Sequence, residues 1–319
     1  MLRRRFLCAS LGLGAAAAGG WGMLRQSGAL RIHAAADLAF GTLVSIRLIH
    51  HDARQAGLAL EDALAAARTV DTLMSVYRRG SQVYELNHAG RLDRPSPHLV
   101  AVLSEARRIS ALTDGAFDIT VQPLWELARQ GRGRAPALPL VGWRRMRADA
   151  ACVTLHPGMQ ITLNGIAQGY AVDLARAALQ ARGLRHALID TGEFSALGAA
   201  EGGRPWTLAV RDPRREDVHA GMLQMDGRAV ATSGDYASAF TPDFSDHHIF
   251  DPATGASPFQ LAAVTVTAPS GILADGLSTA FMVMGAQRSL ALAAGMKGVD
   301  LVATDKQGRR WLSPGLRLS

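Results

Sequence analysis

The fold is decided around the stretch Leu163-Asn164-Gly165-Ile166-Ala167-Gln168-Gly169-Tyr170-Ala171-Val172-Asp173. Residues 159–163 alternate between apolar and polar like a β-strand, and apolar residues recur at helical spacing from Val172 to Leu179. Gly183 ends that pattern. We therefore predict a strand, a glycine turn and a helix. The unpaired N–H groups at the start of such a helix favour a phosphate, although most glycine turns are only tight connections.

The rest of the chain mixes helical and strand-like segments. Its 48% hydrophobic composition can bury the core of one large domain or two lobes, and the main internal loops are predicted at 129–139 and 211–217. The pattern predicts helices over 59–74, 97–112, 274–284 and 289–294, and strands over 187–189, 207–210, 229–232, 264–267 and 301–304. This order favours an α+β fold, with mixed sheets and packed helices, over a regular βαβ repeat.

The first 36 residues are typical of an export leader. Arg3-Arg4-Arg5-Phe6-Leu7 precedes a short apolar run, and paired arginines followed by Phe-Leu indicate the twin-arginine route. The run is shorter than the roughly 20 residues needed to cross a bilayer, so no stable transmembrane span is expected. We predict a leader over 1–36, cleaved between Ala18 and Ala36, and one domain over 37–319. The expected location is the periplasm, with membrane association if the leader is retained.

Charge and cysteine content narrow the possible partners. Five arginines precede Asp37, the first acidic residue, so the net charge of +7 falls to +2 for residues 37–319. Nucleic-acid binding is not expected, because it needs a concentrated basic face. Of the two cysteines only Cys152 lies after the leader, so no internal disulfide is predicted despite an oxidising compartment.

Asp275 and Thr279 form a candidate metal site. They stand four residues apart, so a helix would present both side-chain oxygens on one face. Hard oxygen ligands suit Mg²⁺ better than zinc. The alternative is that Asp275 only stabilises the first turn of a helix.

A second candidate is the segment His247-His248-Ile249-Phe250-Asp251-Pro252, which leads into a turn closed by Thr254-Gly255. A histidine with a pKa near neutral removes a proton from a hydroxyl group. Taken singly, each histidine is more often a surface residue or a partner in a structural hydrogen bond.

Two further blocks contain aromatic rings. Tyr77 follows an apolar helix end at Met74, and its ring face suits an aromatic ligand. Residues 113–120 read as a turn that enters a strand, and they place Phe117 beside Asp118. Both blocks are also explained as ordinary structure.

Six blocks recur together in one order: Met74-Ser75-Val76-Tyr77 with Ser81 and Leu86-Asn87; Asp114-Gly115-Ala116-Phe117-Asp118-Ile119-Thr120; Gly165 to Asp173; Ala231-Thr232-Ser233-Gly234-Asp235-Tyr236; His248 to Gly255; and Ala274-Asp275-Gly276-Leu277-Ser278-Thr279-Ala280. In this order the chain resembles the FAD:protein FMN transferase family, named for ApbE, over about residues 40–285. Any one block is a weak signal, but the ordered set is specific.

The resemblance implies an α+β fold around an FAD cleft. It also implies that FAD is the substrate, that Mg²⁺ is the cofactor, and that FMN passes to a threonine hydroxyl of an acceptor flavoprotein with release of AMP. By position, the Gly165 carbonyl and the side chains of Asp275 and Thr279 are the implied metal ligands, and His248 is the implied catalytic residue. The residues implied to line the FAD pocket are Phe40, Tyr77, Ala116, Phe117, Asp118, Gln168 and Ile249.

The chain also departs from the usual family pattern. Gln168 stands where many relatives have lysine, Glu193 stands where a second glycine is common, and Gln82 replaces a common glutamate. The 163–170 block, the double histidine and the leader are similar to the NosX branch, which is associated with the flavinylation of NosR in nitrous oxide respiration.

Two other functions are compatible with the same residues. An enzyme of this fold that used water in place of threonine would be an Mg²⁺-dependent FAD pyrophosphatase. A protein without catalysis would be an exported carrier of FAD. The sequence does not distinguish the three.

Overall fold

The computed structural model describes residues 29–319. Residues 1–28 of the predicted leader, which contain its twin-arginine signal, lie outside the described residues, so that signal and the cleavage point stay predictions. Within residues 29–319, no helix combines the length and apolar character that crossing a membrane requires.

Seven α-helices occur in residues 29–319, and each predicted helix is found. Asp52 caps the longest one, since its carboxylate accepts hydrogen bonds from the N–H groups of Arg54 and Gln55. The next helix begins after the hydroxyl of Ser81 in the same way. The helices are α1 Ala53–Met74, α2 Gln82–Ala89, α3 Pro97–Leu112, α4 Gln122–Arg129, α5 Ala167–Ala181, α6 Gly271–Met284 and α7 Ala286–Ala294.

The strands are short and pair only in antiparallel fashion within this part of the chain. The five strands predicted over 187–189, 207–210, 229–232, 264–267 and 301–304 are present, and each is longer than predicted by one to four residues. The strands are β1 Arg31–Ala39, β2 Thr42–His50, β3 Arg91–Asp93, β4 Arg147–Ala148, β5 Cys152–Thr154, β6 Ala187–Asp190, β7 Phe194–Leu197, β8 Thr207–Arg211, β9 His219–Gln224, β10 Ala229–Gly234, β11 Leu261–Ala268, β12 Asp300–Asp305 and β13 Arg310–Leu312.

One large sheet organises the molecule. Its eight strands follow the order β1-β2-β6-β7-β10-β11-β12-β13, and two small sheets, β3-β5-β4 and β8-β9, lie outside it. Helix α6 packs against β10 and β11, α5 packs against α6, and α1 packs against α5. All eight residues of β11 are buried. Val264 and Val266 belong to the main apolar core, whereas Val230 and Val302 of the two neighbouring strands belong to a second apolar cluster around Trp206 and Leu223. The α+β class, with sheets and packed helices, is therefore confirmed.

Three sequence predictions differ from the structure. Residues 159–163 form no strand, and the side-chain amide of Asn87 instead takes the hydrogen bonds of the Ile161 backbone at 2.7 and 2.8 Å. The segment after Asp118 is a 3₁₀ turn over Ile119–Val121 and then α4, not a strand. The hairpin of β1 and β2 was not predicted, and β1 begins at Arg31, before the expected domain boundary at residue 37.

Candidate active site

The candidate site is built on a close crossing of α5 and α6. A Cβ atom on Gly169 would collide with the Gly271 carbonyl and with the Asp275 side chain, so the two helices approach at a distance that only glycine permits. Asp173 of α5 completes the crossing. Its two carboxylate oxygens accept hydrogen bonds from the N–H groups of Gly271 and Ile272 at 2.7 and 2.9 Å, and these cap the start of α6.

The three predicted metal ligands meet at this crossing. Asp275 is buried in the second turn of α6, and its Oδ2 accepts a hydrogen bond from the Gly169 N–H at 2.9 Å. Thr279 follows one helical turn later. A Cβ atom on Gly165 would lie 2.8 Å from Thr279 Oγ1, so the glycine turn rests directly against that hydroxyl. The alternative that Asp275 only stabilises the first turn of a helix is not what the structure shows.

The surroundings of Asp275 are those of a buried carboxyl group without a basic partner. Burial raises the pKa of Asp275 to about 7, against the opposing effect of the Gly169 hydrogen bond. No Arg, Lys or His of residues 29–319 forms a salt bridge with it. The same residues contain no group of three or more His, Cys, Asp or Glu side chains suited to a metal. Any cation here would be held by one carboxylate and neutral oxygens, the type of donor set that suits a hard ion.

Sequence reasoning missed two polar neighbours of this centre. Ser233 lies near the end of β10. Its Oγ is 3.3 Å from Thr279 Oγ1 and 2.8 Å from Ser278 Oγ. Glu193 is buried, and its Oε2 accepts a hydrogen bond from the Thr232 N–H at 3.1 Å. Burial, and then the charge of Asp275, raise the pKa of Glu193 well above its usual value. The sequence signalled Glu193 only as a departure from glycine.

Gln168 lies beside the segment that carries Glu193. The side-chain Nε2 of Gln168 donates to the Thr191 carbonyl at 2.8 Å, and the backbone carbonyl of Gln168 accepts from Thr191 Oγ1 at 2.9 Å. The side-chain amide also lies against Gly192. Gln168 thus stabilises the turn after β6. Gln82, the other unusual glutamine, accepts from the Ser96 N–H at 2.8 Å at the start of α3.

The two adjacent histidines have different environments. His247 is buried, its ring Nε2 lies 3.1 Å from the Pro258 carbonyl oxygen, and burial lowers its pKa. His247 is thus a partner in a structural hydrogen bond, the alternative that the sequence left open for each histidine. His248 is half-buried, and its N–H donates to the Ser238 carbonyl at 2.9 Å. The predicted turn follows, closed by a 2.7 Å hydrogen bond from the Gly255 N–H to the Asp251 carbonyl.

The predicted pocket residues are spread between surface and core. Tyr77 is 60% exposed and meets the ring of Trp125 edge-on at 6.3 Å, a neighbour that the sequence did not indicate. Phe117 and Ile249 are buried in the main core, and Phe40 packs against that core.

Ala116 and Asp118 belong to one tightly hydrogen-bonded turn. Ala116 is half-buried and donates its N–H to the Thr113 carbonyl at 3.1 Å. The Asp118 carboxylate accepts from the N–H groups of Thr120 and Trp143 at 2.8 and 2.9 Å. Burial raises the pKa of Asp118, and these hydrogen bonds oppose the rise. Asp118 shapes this turn through its hydrogen bonds.

Comparison with known proteins agrees with this geometry. Residues 40–303 match the model of the ApbE family, and this span contains the α5–α6 crossing and His248. The chain belongs to the ApbE family. Gly165, Asp275 and His248 lie in three separate sequence blocks. The fold brings the blocks of Gly165 and Asp275 together at the α5–α6 crossing.

Similar proteins include curated FAD:protein FMN transferases. One from Vibrio cholerae is 32% identical over 70% of this chain and 72% of its own length, and one from Salmonella typhimurium is 29% identical over 86% and 85%. Among solved structures, an ApbE protein from Thermotoga maritima gives a TM-score of 0.79 at 27% identity, covering 89% of this chain and 98% of its own. The flavin transferase ApbE from Vibrio cholerae gives 0.78 at 26% identity, with coverages of 90% and 98%.

Proposed function

We propose that this protein is an FAD:protein FMN transferase, which moves FMN from FAD to a threonine hydroxyl of an acceptor flavoprotein and releases AMP. The observation that carries the proposal is the meeting of Gly165, Asp275 and Thr279 at the α5–α6 crossing, inside the segment that matches the family. The curated relatives carry this activity in their names.

Magnesium is the cation proposed for this crossing. The Gly165 carbonyl, the Asp275 carboxylate and the Thr279 hydroxyl would hold it, and the lack of a basic partner for Asp275 in the described residues supports a cation there. When bound, Mg²⁺ would neutralise negative charge on the diphosphate of FAD. Ser233 fixes the direction of the Thr279 hydroxyl by its 3.3 Å contact.

The residues proposed to bind FAD come from several elements. Tyr77 offers an exposed ring face, and Gln168 offers a side-chain amide at the start of α5. Phe40, Ala116, Phe117, Asp118 and Ile249 complete the proposed set; the buried members act by shaping the wall on which the flavin rests.

His248 is the proposed general base. As the acceptor oxygen forms a bond to the riboflavin-side phosphorus of FAD, the bond from that phosphorus to the oxygen of AMP breaks. The proton of the threonine hydroxyl passes to the His248 imidazole, and AMP leaves as the free nucleotide. Atoms balance: the acceptor gains FMN less one water.

The proposed location is the periplasm, reached by the twin-arginine route through the leader at 1–36. The leader and the NosX-like sequence features support a NosR-like membrane flavoprotein as the acceptor. That assignment depends on the resemblance alone, so the acceptor is tested directly.

The test incubates the purified protein with FAD, Mg²⁺ and the recombinant flavin-binding domain of a NosR-like protein. We expect AMP by chromatography and an acceptor heavier by FMN less one water by mass spectrometry. AMP with free FMN would instead identify an FAD pyrophosphatase, and absence of both products would identify an FAD carrier. A threonine-to-alanine acceptor domain is the control, and it must remain unlabelled.

A further inference from the structure

A buried charge network lies next to the segment that carries His248. Asp235 has no exposed side-chain surface, and it follows directly after β10. Its carboxylate accepts two hydrogen bonds from the Arg214 guanidinium at 2.8 and 2.7 Å and a third from Lys306 Nζ at 2.7 Å. These residues come from three distant parts of the chain, so the network ties three loops together.

Residues 238–248 form a hairpin-like loop, here named the His248 hairpin. Its base is closed by the hydrogen bond from the His248 N–H to the Ser238 carbonyl at 2.9 Å. The Phe240 N–H donates to the Asp246 carbonyl at 2.8 Å one step further out. Phe244 lies at the tip with φ of 60°, a left-handed conformation that a bulky residue adopts only when its surroundings hold it.

The network holds this tip from two sides. Lys306 Nζ donates to the Phe244 carbonyl at 2.6 Å, and the Arg214 guanidinium lies 4.6 Å from the centre of the Phe244 ring. Lys306 therefore joins the buried Asp235 carboxylate directly to the tip of the His248 hairpin.

The other side of the network reaches the proposed cation site. Asp235 stands two residues after Ser233, whose hydroxyl contacts Thr279 Oγ1 at 3.3 Å. Ser233 near the end of β10 thus contacts Thr279, and Asp235, two residues later, is linked to the His248 hairpin through Lys306 and Arg214. Residues 233–235 therefore connect the two halves of the proposed site.

We propose that Lys306, together with Asp235 and Arg214, is a positioning set that fixes the His248 hairpin relative to Thr279 and Asp275. The inference rests on the proposed function, because His248 acts as the base only in that reaction. The set acts through His248, and it touches neither the flavin nor the acceptor.

Lys306→Met is the test variant. It leaves the paired hydrogen bonds of Arg214 to Asp235 in place, so the buried carboxylate keeps a cationic partner and only the link to the Phe244 carbonyl is lost. Arg228→Met is the matched control, since Arg228 forms a partly buried ion pair with Asp300 at 2.5 Å, at the opposite end of β12. Lys306→Arg keeps the charge and its donors, and it serves as the rescue variant.

The measurements are FAD affinity by fluorescence quenching and single-turnover transfer to the NosR-like domain by in-gel flavin fluorescence. Lys306→Met is expected to slow transfer by at least about 10-fold, because small displacements of a reacting group cost about 100-fold. Its FAD affinity is expected to stay within about 2-fold of wild type. Arg228→Met and Lys306→Arg are expected to transfer within about 3-fold of wild type. Arg214→Lys keeps the positive charge but loses the planar guanidinium. It must slow transfer less than Lys306→Met does and leave FAD affinity within about 2-fold of wild type.

The deciding measurement is the double variant with His248→Ala. If Lys306 acts only through His248, the double variant is no more than about 2-fold slower than His248→Ala. Independent, multiplicative losses would overturn the proposal, as would an equal loss of FAD affinity, an unimpaired Lys306→Met or an unimpaired His248→Ala. A wild-type protein that labels no acceptor would overturn the proposed function together with this role, whereas wild-type labelling with an unimpaired Lys306→Met overturns the role alone.

Discussion

At the scale of single residues, the chemistry depends on a few polar groups that are buried near one another. Asp275 accepts a hydrogen bond from the Gly169 N–H, and Glu193 is close enough for the charge of Asp275 to raise its pKa. Burying two neighbouring carboxyl groups in their charged form costs free energy unless a positive charge compensates for it. We therefore expect the proposed cation, when bound, to contribute to both binding and chemistry at this centre.

Replacement of Asp275 by alanine is expected to abolish flavinylation, with transfer reduced by at least about 100-fold, because the only carboxylate among the proposed ligands is lost. Titration of Mg²⁺ against labelling of the NosR-like domain measures the effect. Labelling at the wild-type rate by Asp275→Ala would contradict the proposed cation site.

Replacement of His248 by alanine is expected to leave FAD binding intact and to slow transfer by about 10²–10⁴-fold, the usual contribution of a general base. Fluorescence quenching reports binding, and rapid mixing with the acceptor domain reports the rate. His247→Asn is the paired comparison, since the buried His247 ring contacts the Pro258 carbonyl and is expected to affect stability more than rate. An unchanged single-turnover rate in His248→Ala would exclude it as the base.

At the scale of elements, the decisive feature is the crossing of α5 and α6. Gly169 and Gly271 let the two helices approach closely, and Asp173 caps α6 from the side of α5. The crossing fixes the position of Asp275 relative to the glycine turn, because both lie on the contacting faces. A loosened crossing would move the proposed ligands apart.

Replacement of Gly169 by alanine is expected to lower the free energy of unfolding by about 1–3 kcal/mol, since the new Cβ must displace the Gly271 backbone. The control is Gly57→Ala in α1, where an added Cβ meets no atom within 4 Å. Alanine there is expected to raise stability by about 0.5–1 kcal/mol through its better helix propensity. Urea denaturation compares the two, and equal stability of both variants would contradict the close crossing.

At the scale of the whole molecule, the large sheet carries the helices that form the site. Strand β1 lies at one edge of that sheet and pairs with β2 along its full length. The predicted leader overlaps this strand, because it extends to Ala36 while β1 begins at Arg31. Cleavage at the late end of the predicted window would thus remove part of the sheet.

A chain that starts at Asp37 is expected to unfold more easily than one that starts at Leu30. The shorter chain loses the pairs from Arg31–His50 to Ala36–Ser45 and exposes the edge of β2. We expect a loss of about 1–3 kcal/mol, because most of β1 is exposed and contributes mainly its ladder and cross-strand contacts. Thermal unfolding of the two purified proteins measures it. Identical melting temperatures would show that β1 is dispensable and that cleavage near Ala36 is tolerated.

The spacing of apolar residues predicted most helices and strands, because that spacing depends only on the segment itself. Helix α3 was predicted with its observed limits from apolar spacing, and β11 is present where a strand was predicted over 264–267. The pattern was wrong for residues 159–163. The alternation of apolar and polar residues there is the same as in a strand, but the Asn87 side chain, and not a neighbouring strand, takes the backbone hydrogen bond.

The α+β class, the presence of five of the helices and five of the strands, and the order of the motifs follow from the sequence alone, because each depends on residues close together in the chain. Only the tertiary structure decided that Glu193 lies beside Asp275 and that Lys306 holds the tip of the His248 hairpin. Such contacts join residues far apart in the chain, as Gly169 and Asp275 are 106 positions apart. Periodicity carries no information at that range, and packing of the helices on the sheet brings these groups together.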